Sequence, residues 1–147
     1  MKIMDALKKE AFEVVLGEDE GLANEDIKRL AINAQDNELI YIREQCSAVI
    51  VVAESVGSHC ELGLFSWHFA SSHGVFGAGL DLILLVDKKY RRHKSYFNLG
   101  PLQAVKGGKG VVKFVDFNKF DIAPLIKRLN DQRGITRADK ALRRRKK

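Results

Sequence analysis

The run Ala48 to Ala53, AVIVVA, has no polar side chain at any of its positions. A strand with one face in water alternates apolar and polar residues. A uniformly apolar, β-branched run is what a strand covered on both faces by helices looks like. Leu80 to Asp87, LDLILLVD, holds a second run of this kind, Leu82 to Val86, between its two aspartates. Around these two, the chain changes period repeatedly. Apolar residues at 3, 4, 7, 11 and 12 predict an amphipathic helix over Lys2 to Phe12, followed by a short strand over Glu13 to Gly17 and an acidic turn. Asn24 is the expected N-cap of a second helix bearing Ile27, Leu30, Ala31, Ala34, Leu39, Ile40 and Ile42, with a break between Gln35 and Glu38. A third helix is expected from about Cys60 to Ser71. The segment KKYRRHKSYFNLGPLQAV reads as a basic, aromatic loop, Val111 to Asp116 as a further strand and Asp121 to Gln132 as the last helix. Strands alternating with helices predict an α/β fold around a mostly parallel sheet.

The length of 147 residues, 46% hydrophobic and 30% charged, suits one domain with a single core. No apolar run approaches the roughly 20 residues that span a bilayer, and the charged N-terminus MKIMDALKKEAF lacks the apolar centre of a signal peptide. The expectation is a cytoplasmic protein with no membrane partner. Cys46 and Cys60 form no CxxC, and with four scattered histidines they have no metal-ligand spacing, so the expectation is two buried free thiols, no metal and no cofactor. The net charge of +6 resides entirely in the last eleven residues, which hold seven Lys and Arg against one Asp, leaving 18 basic and 18 acidic residues elsewhere. We therefore divide the chain into a domain over 1–134 and a basic tail over 135–147. The tail, Arg137 to Lys147 above all, reads either as a disordered, solvating end or as a contact to nucleic acid or an acidic partner. No aromatic residue interleaves it, so such a contact would be to phosphates. The glycine clusters GVFGAG and KGGKG match neither a dinucleotide fingerprint nor a phosphate loop, and read as turns.

In an open parallel sheet, ligands sit beyond the carboxyl ends of the strands. The stretch AESVGSHCELG follows AVIVVA directly and occupies such a place. Gly57 allows a turn that other residues resist, Ser55 and Ser58 offer hydrogen bonds or a cap, and Glu61 is expected in the first turn of the next helix. There the helix dipole would hold the carboxylate ionised, fit to attack or to stabilise a developing cation. The plainer reading is that Glu61 is simply a good first-turn residue. The loop KKYRRHK reads either as solvated or as a phosphate holder through Lys88, Arg91 and Arg92. Trp67, beside Phe65 and Phe69, reads as core or dimer interface; His68 and His73 lack metal-binding partners.

The string VIVVAESVGSHCELGLFS, with KSYFNLGPL some thirty residues later, resembles the nucleoside 2-deoxyribosyltransferase superfamily. It is more similar still to the ribosyltransferase-like effector domains found beside retron reverse transcriptases. The matching positions are Glu54, Ser55, Gly57, Ser58, Glu61, Leu62, Gly63, Phe65 and Ser66, then Ser95, Asn98, Gly100 and Pro101. The resemblance implies a flavodoxin-like three-layer sandwich and chemistry at C1′ of a nucleoside or nucleotide. It implies Glu61 as the catalytic carboxylate, Gly57 and Ser58 lining the sugar, Glu54 and Ser55 among the substrate-binding residues, and Asn98 against the ligand or a neighbouring subunit of a homo-oligomer.

Where deoxyribosyltransferases carry an Asp six residues before the nucleophile, this chain has Ser55. A neutral purine needs proton donation to depart, whereas nicotinamide leaves NAD⁺ from a ring already charged. Hydrolysis of an NAD-type substrate is therefore the expectation. The alternatives are a 2-deoxyribosyltransferase proper and a non-catalytic nucleotide-binding or assembly module of a defence complex. The family's first strand, which lies between those corresponding to Val14 to Leu16 and Ala48 to Ala53, is missing. Its loss leaves a gap of roughly 9 to 10 Å. Either the start lies upstream, or the strands close up in another order, or another chain inserts a strand.

Overall fold

The protein is seen in a computed structural model that describes residues 2–17, 34–71 and 79–145. Its elements are α1 (Lys2–Lys9), α2 (Ala34–Gln45), β1 (Ala48–Ala53), α3 (Val56–Ala70), β2 (Asp81–Asp87), α4 (Tyr96–Leu99), α5 (Pro101–Gly107), β3 (Val111–Val115) and α6 (Ala123–Arg145). Short 3-10 turns at Lys88–Tyr90 and Phe117–Lys119 follow β2 and β3. The chain divides into two compact units, Leu39–Phe120, and Met1–Glu38 with Asp121–Lys147.

The Leu39–Phe120 unit holds the sheet. Its order is β1-β2-β3 and both pairings are parallel, with Ala48 opposite Asp81, Ala53 opposite Val86, Ile83 opposite Val111 and Asp87 opposite Val115. The fold is α/β with an all-parallel sheet flanked by helices, as the two apolar runs require. β2 is central: Leu82, Ile83, Leu84, Leu85 and Val86 are all 0% exposed, so both faces of the strand are covered. On one face Leu82, Leu84 and Val86 join Val51 and Ala53 of β1, Leu62 and Phe65 of α3, and Leu102 and Val105 of α5 in a single core. Burying each of the larger side chains contributes about 1.5–3 kcal/mol. A one-residue slip of β2 would exchange its two faces, so the core fixes the register.

β1 forms the other edge of this sheet. Ser47 O accepts from Asp81 N at 3.1 Å, so alternation along the strand turns the amides of Ala48, Ile50 and Val52 away from β2. Among the described residues no strand pairs with that side. The expected strand over Glu13 to Gly17 does not form: residues 12–16 lack regular structure, and Val15 is 39% exposed. β-branched composition makes a strand only where a ladder partner exists.

Other boundaries also differ from expectation. α2 runs unbroken through Gln35 to Glu38, because nothing there removes a backbone donor; Asn24 and most of that predicted helix lie outside the described residues, as does His73. The supposed loop after β2 contains α4 and α5. α5 has Pro101 at its first position, where a missing N–H costs nothing, and buries Leu102 and Val105 three residues apart.

In the other unit, Leu7 of α1 and Leu125 and Leu129 of α6 are buried. The Arg133 guanidinium donates to Glu10 O at 3.1 Å and Ala11 O at 3.4 Å. It also lies 4.3 Å from the centre of the Phe12 ring, tying the end of α1 to α6. α6 continues without a break to Arg145, so the described part of the basic segment is helical where the sequence suggested disorder.

Candidate functional site

The carboxyl ends of the three strands lie at one rim of the Leu39–Phe120 unit, and the expected site residues are distributed along it. At the end of β1 the chain turns sharply, with Glu54 N donating to Val52 O at 3.0 Å. Ser55 then caps α3. Its Oγ accepts from Ser58 N at 3.2 Å, while Ser58 Oγ accepts from Ser55 N at 2.9 Å and from Glu54 N at 3.1 Å. Ser58 Oγ also bonds Ser55 O at 3.0 Å. This is a capping box with serine in the position usually held by Glu or Gln.

The cap bears on the sequence reading in two ways. The cap starts α3 at Val56 rather than near Cys60, so Glu61 stands in the second turn, beyond the reach of the N-terminal dipole. The Ser58 hydroxyl serves the cap, one of the two roles the sequence offered it. Gly57 lies in the first turn. Glu54 and Glu61 are exposed, and among the described residues the Glu61 carboxylate has no hydrogen bond or ion pair. Cys60 is exposed and Cys46 partly so, against the expectation of two buried thiols. Trp67 is 66% exposed, which excludes a core role.

A cluster that the sequence reading did not assemble joins this helix start to the segment after β2. His59 Nδ1 lies 2.5 Å from Ser55 O; a carbonyl only accepts, so Nδ1 carries the proton. The His59 ring packs 5.2 Å from Phe97 and 6.2 Å from Tyr90, and Tyr90 packs 5.8 Å from His93. Asn98 holds the segment in shape: its Nδ2 donates to Tyr90 O at 2.6 Å and to His93 O at 2.5 Å. Asn98 thus braces the protein's own backbone, and its buried Oδ1 has no partner among the described residues. The available signals were His59 four residues after the Ser55 cap and Asn98 within a run of rings.

The basic residues separate into two groups. Lys88 Nζ bonds Asp116 Oδ2 at 2.6 Å, linking the ends of β2 and β3, and Lys89 pairs with Asp87 at 3.4 Å. The hydrogen bond from Lys88 holds the Asp116 carboxyl below its ordinary range, and the same bond raises Lys88. The Lys89 backbone N–H does the like for Asp87. Lys88 is therefore occupied within the fold. Arg91 and Arg92 are exposed and, among the described residues, their side chains are unpaired.

A model of the STM3845 retron effector protein family matches residues 5–147, nearly the whole chain. The chain belongs to that family. No curated protein and no solved structure matches it. For this retron effector, the match takes in residues of both units and every candidate site residue named above. Among the described residues no helix is long and apolar enough to cross a membrane.

Proposed function

We propose that this retron effector cleaves the N-glycosidic bond of a nucleoside or nucleotide at C1′, with Glu61 as the group that attacks C1′ or stabilises its cation-like transition state. The observation that carries the reading is the exposed, unpaired Glu61 on the helix that begins at the carboxyl end of β1, where parallel sheets bind ligands. Glu54 and Gly57 lie on the same approach, and the likeness of these residues to nucleoside deoxyribosyltransferases supports it. An NAD-type substrate is preferred, because Ser55 is spent on the cap and offers no carboxyl to protonate a neutral base. Water is the acceptor in this reading, and a homo-oligomer is the expected assembly.

A second reading has its own support. Ser58 and Lys88, both expected to meet the ligand, are engaged inside the fold. This favours a non-catalytic module of a defence complex, with nucleic acid bound by the basic segment from Arg137. Full-length protein and Glu61→Gln, incubated with NAD⁺ and with deoxynucleosides and followed by chromatography of the free base, separate the two. Base released by the wild type and lost in the variant supports cleavage. No release from either folded protein overturns it, and release from deoxynucleosides with NAD⁺ intact overturns the dinucleotide preference.

A further inference from the structure

We propose that the segment from Arg91 to Leu99 is a docking surface for single-stranded nucleic acid, its cations taking backbone phosphates and the Tyr96 ring taking a base. The inference stands apart from the glycosidic-bond reading and rests on what this segment leaves unpaired.

Five basic residues lie between positions 88 and 94. Asp116 and Asp87 neutralise Lys88 and Lys89. Arg91, Arg92 and Lys94 are exposed, and among the described residues their side chains have no carboxylate partner. Beside them Tyr96 is 84% exposed and Leu99 67%. A ring this exposed ordinarily costs rather than contributes, since it leaves apolar surface in water.

The ring has a close neighbour, the backbone of Gly100. A Cβ at position 100 would lie 3.0 Å from Tyr96 O and 3.2 and 3.3 Å from ring carbons Cζ and Cε2. The Tyr96 ring therefore rests against the bare backbone of Gly100, whose N–H donates to Tyr96 O at 2.7 Å. Asn98, bonded to Tyr90 O and His93 O, fixes the rest of the segment. A ring this exposed offers a free face for stacking, and cations without partners have no ion pair to break.

Unpaired cations next to an exposed aromatic face suit a chain of alternating phosphates and bases. Pockets for small ligands enclose most of the ligand surface, whereas Arg91, Arg92, Lys94 and Tyr96 are all exposed and would leave a mononucleotide largely in water. An acidic protein would satisfy the cations but make no use of the ring.

The test is fluorescence anisotropy of a labelled single strand of about 12 nucleotides with the full chain, between about 50 and 200 mM salt. The loop variants are Arg91→Gln/Arg92→Gln/Lys94→Gln, Tyr96→Ala and Tyr96→Phe, with Arg143→Gln/Arg144→Gln/Arg145→Gln for the terminal helix. The loop charge variant is expected to reduce the log-log salt slope by about 2, from about 0.7 per phosphate contact. Tyr96→Ala should weaken binding about tenfold, and Tyr96→Phe should match the wild type. Because Arg91, Arg92, Lys94 and Tyr96 are exposed, the loop variants should keep the wild-type circular dichroism, and the same spectrum is required of the terminal-helix variant before its binding is compared. Absence of binding overturns the proposal. So does loss of binding only in the terminal-helix variant, a duplex bound as tightly with Tyr96→Ala neutral, or equal competition by an acidic peptide.

Discussion

Asn98 offers the sharpest test of how the rim is built. Its Nδ2 donates to two carbonyls, Tyr90 O and His93 O, belonging to the turn that places Tyr90 against His59. Asn98→Ala removes both bonds. At about 1 kcal/mol net for each, the loss is about 2 kcal/mol, which for a chain of this size lowers the melting temperature by roughly 4 to 8 °C. Asn98→Asp has nearly the same shape but sets a carboxylate oxygen where the donor was, facing two carbonyls. Its cost at neutral pH should exceed that of the alanine variant, at about 3 kcal/mol. Those carbonyls disfavour the charged form, so the introduced carboxyl has a folded value above its unfolded one of about 3.9. The deficit is therefore full at neutral pH and shrinks as pH falls through the raised value, where the protonated group donates again. Urea titrations of the three proteins at neutral pH and near pH 4 measure this. An alanine variant within about 0.5 kcal/mol of wild type, or an aspartate variant no worse than alanine and insensitive to pH, would refute the reasoning.

Three further outcomes follow from the same geometry. Ser55→Ala removes the acceptor for Ser58 N and should cost about 1 kcal/mol by chemical denaturation, with Ser55→Gly losing only a few tenths. Gly110→Ala sets a Cβ 2.5 Å from Val105 Cγ1 and 3.0 Å from Leu82 O; since the backbone oxygen cannot yield, overpacking should lower the urea midpoint by the equivalent of about 1–3 kcal/mol. Lys88→Met should let the Asp116 carboxyl titrate closer to its ordinary range in a carboxyl NMR titration. Because Asp116 is depressed, its share of stability is present above about pH 3.9 and lost as pH falls through its folded value; because Lys88 is raised, its share is present below about pH 10.4 and lost above its folded value.

β1 and β2 were legible because buried parallel strands have a compositional signature that little else shares. The stretch Glu13 to Gly17 has similar composition but finds no ladder partner among the described residues, and pairing of that kind lies outside any local window. α5 was overlooked among basic and aromatic neighbours, although Pro101 followed by Leu102 and Val105 marked a helix start. The start of α3 was misplaced because the cap that Ser55 and Ser58 offered was not carried through to the helix boundary: a cap at Ser55 starts the helix at Val56. The union of Lys88 with Asp116 depends on the β2-β3 register, which brings together residues far apart in sequence.

The sheet also dictates how this chain must be made. Ala48 pairs with Asp81 and Ile83 with Val111, so neither ladder can close until a whole crossover has been synthesised. At roughly 5–20 residues per second, AVIVVA waits seconds outside the ribosome with both its apolar faces and its backbone unsatisfied. Synthesis slowed between β1 and β2 would lengthen that interval, and a holding chaperone would shorten the exposure. Yield of native protein should then respond to translation rate in that stretch of the message more than in the stretch encoding α6.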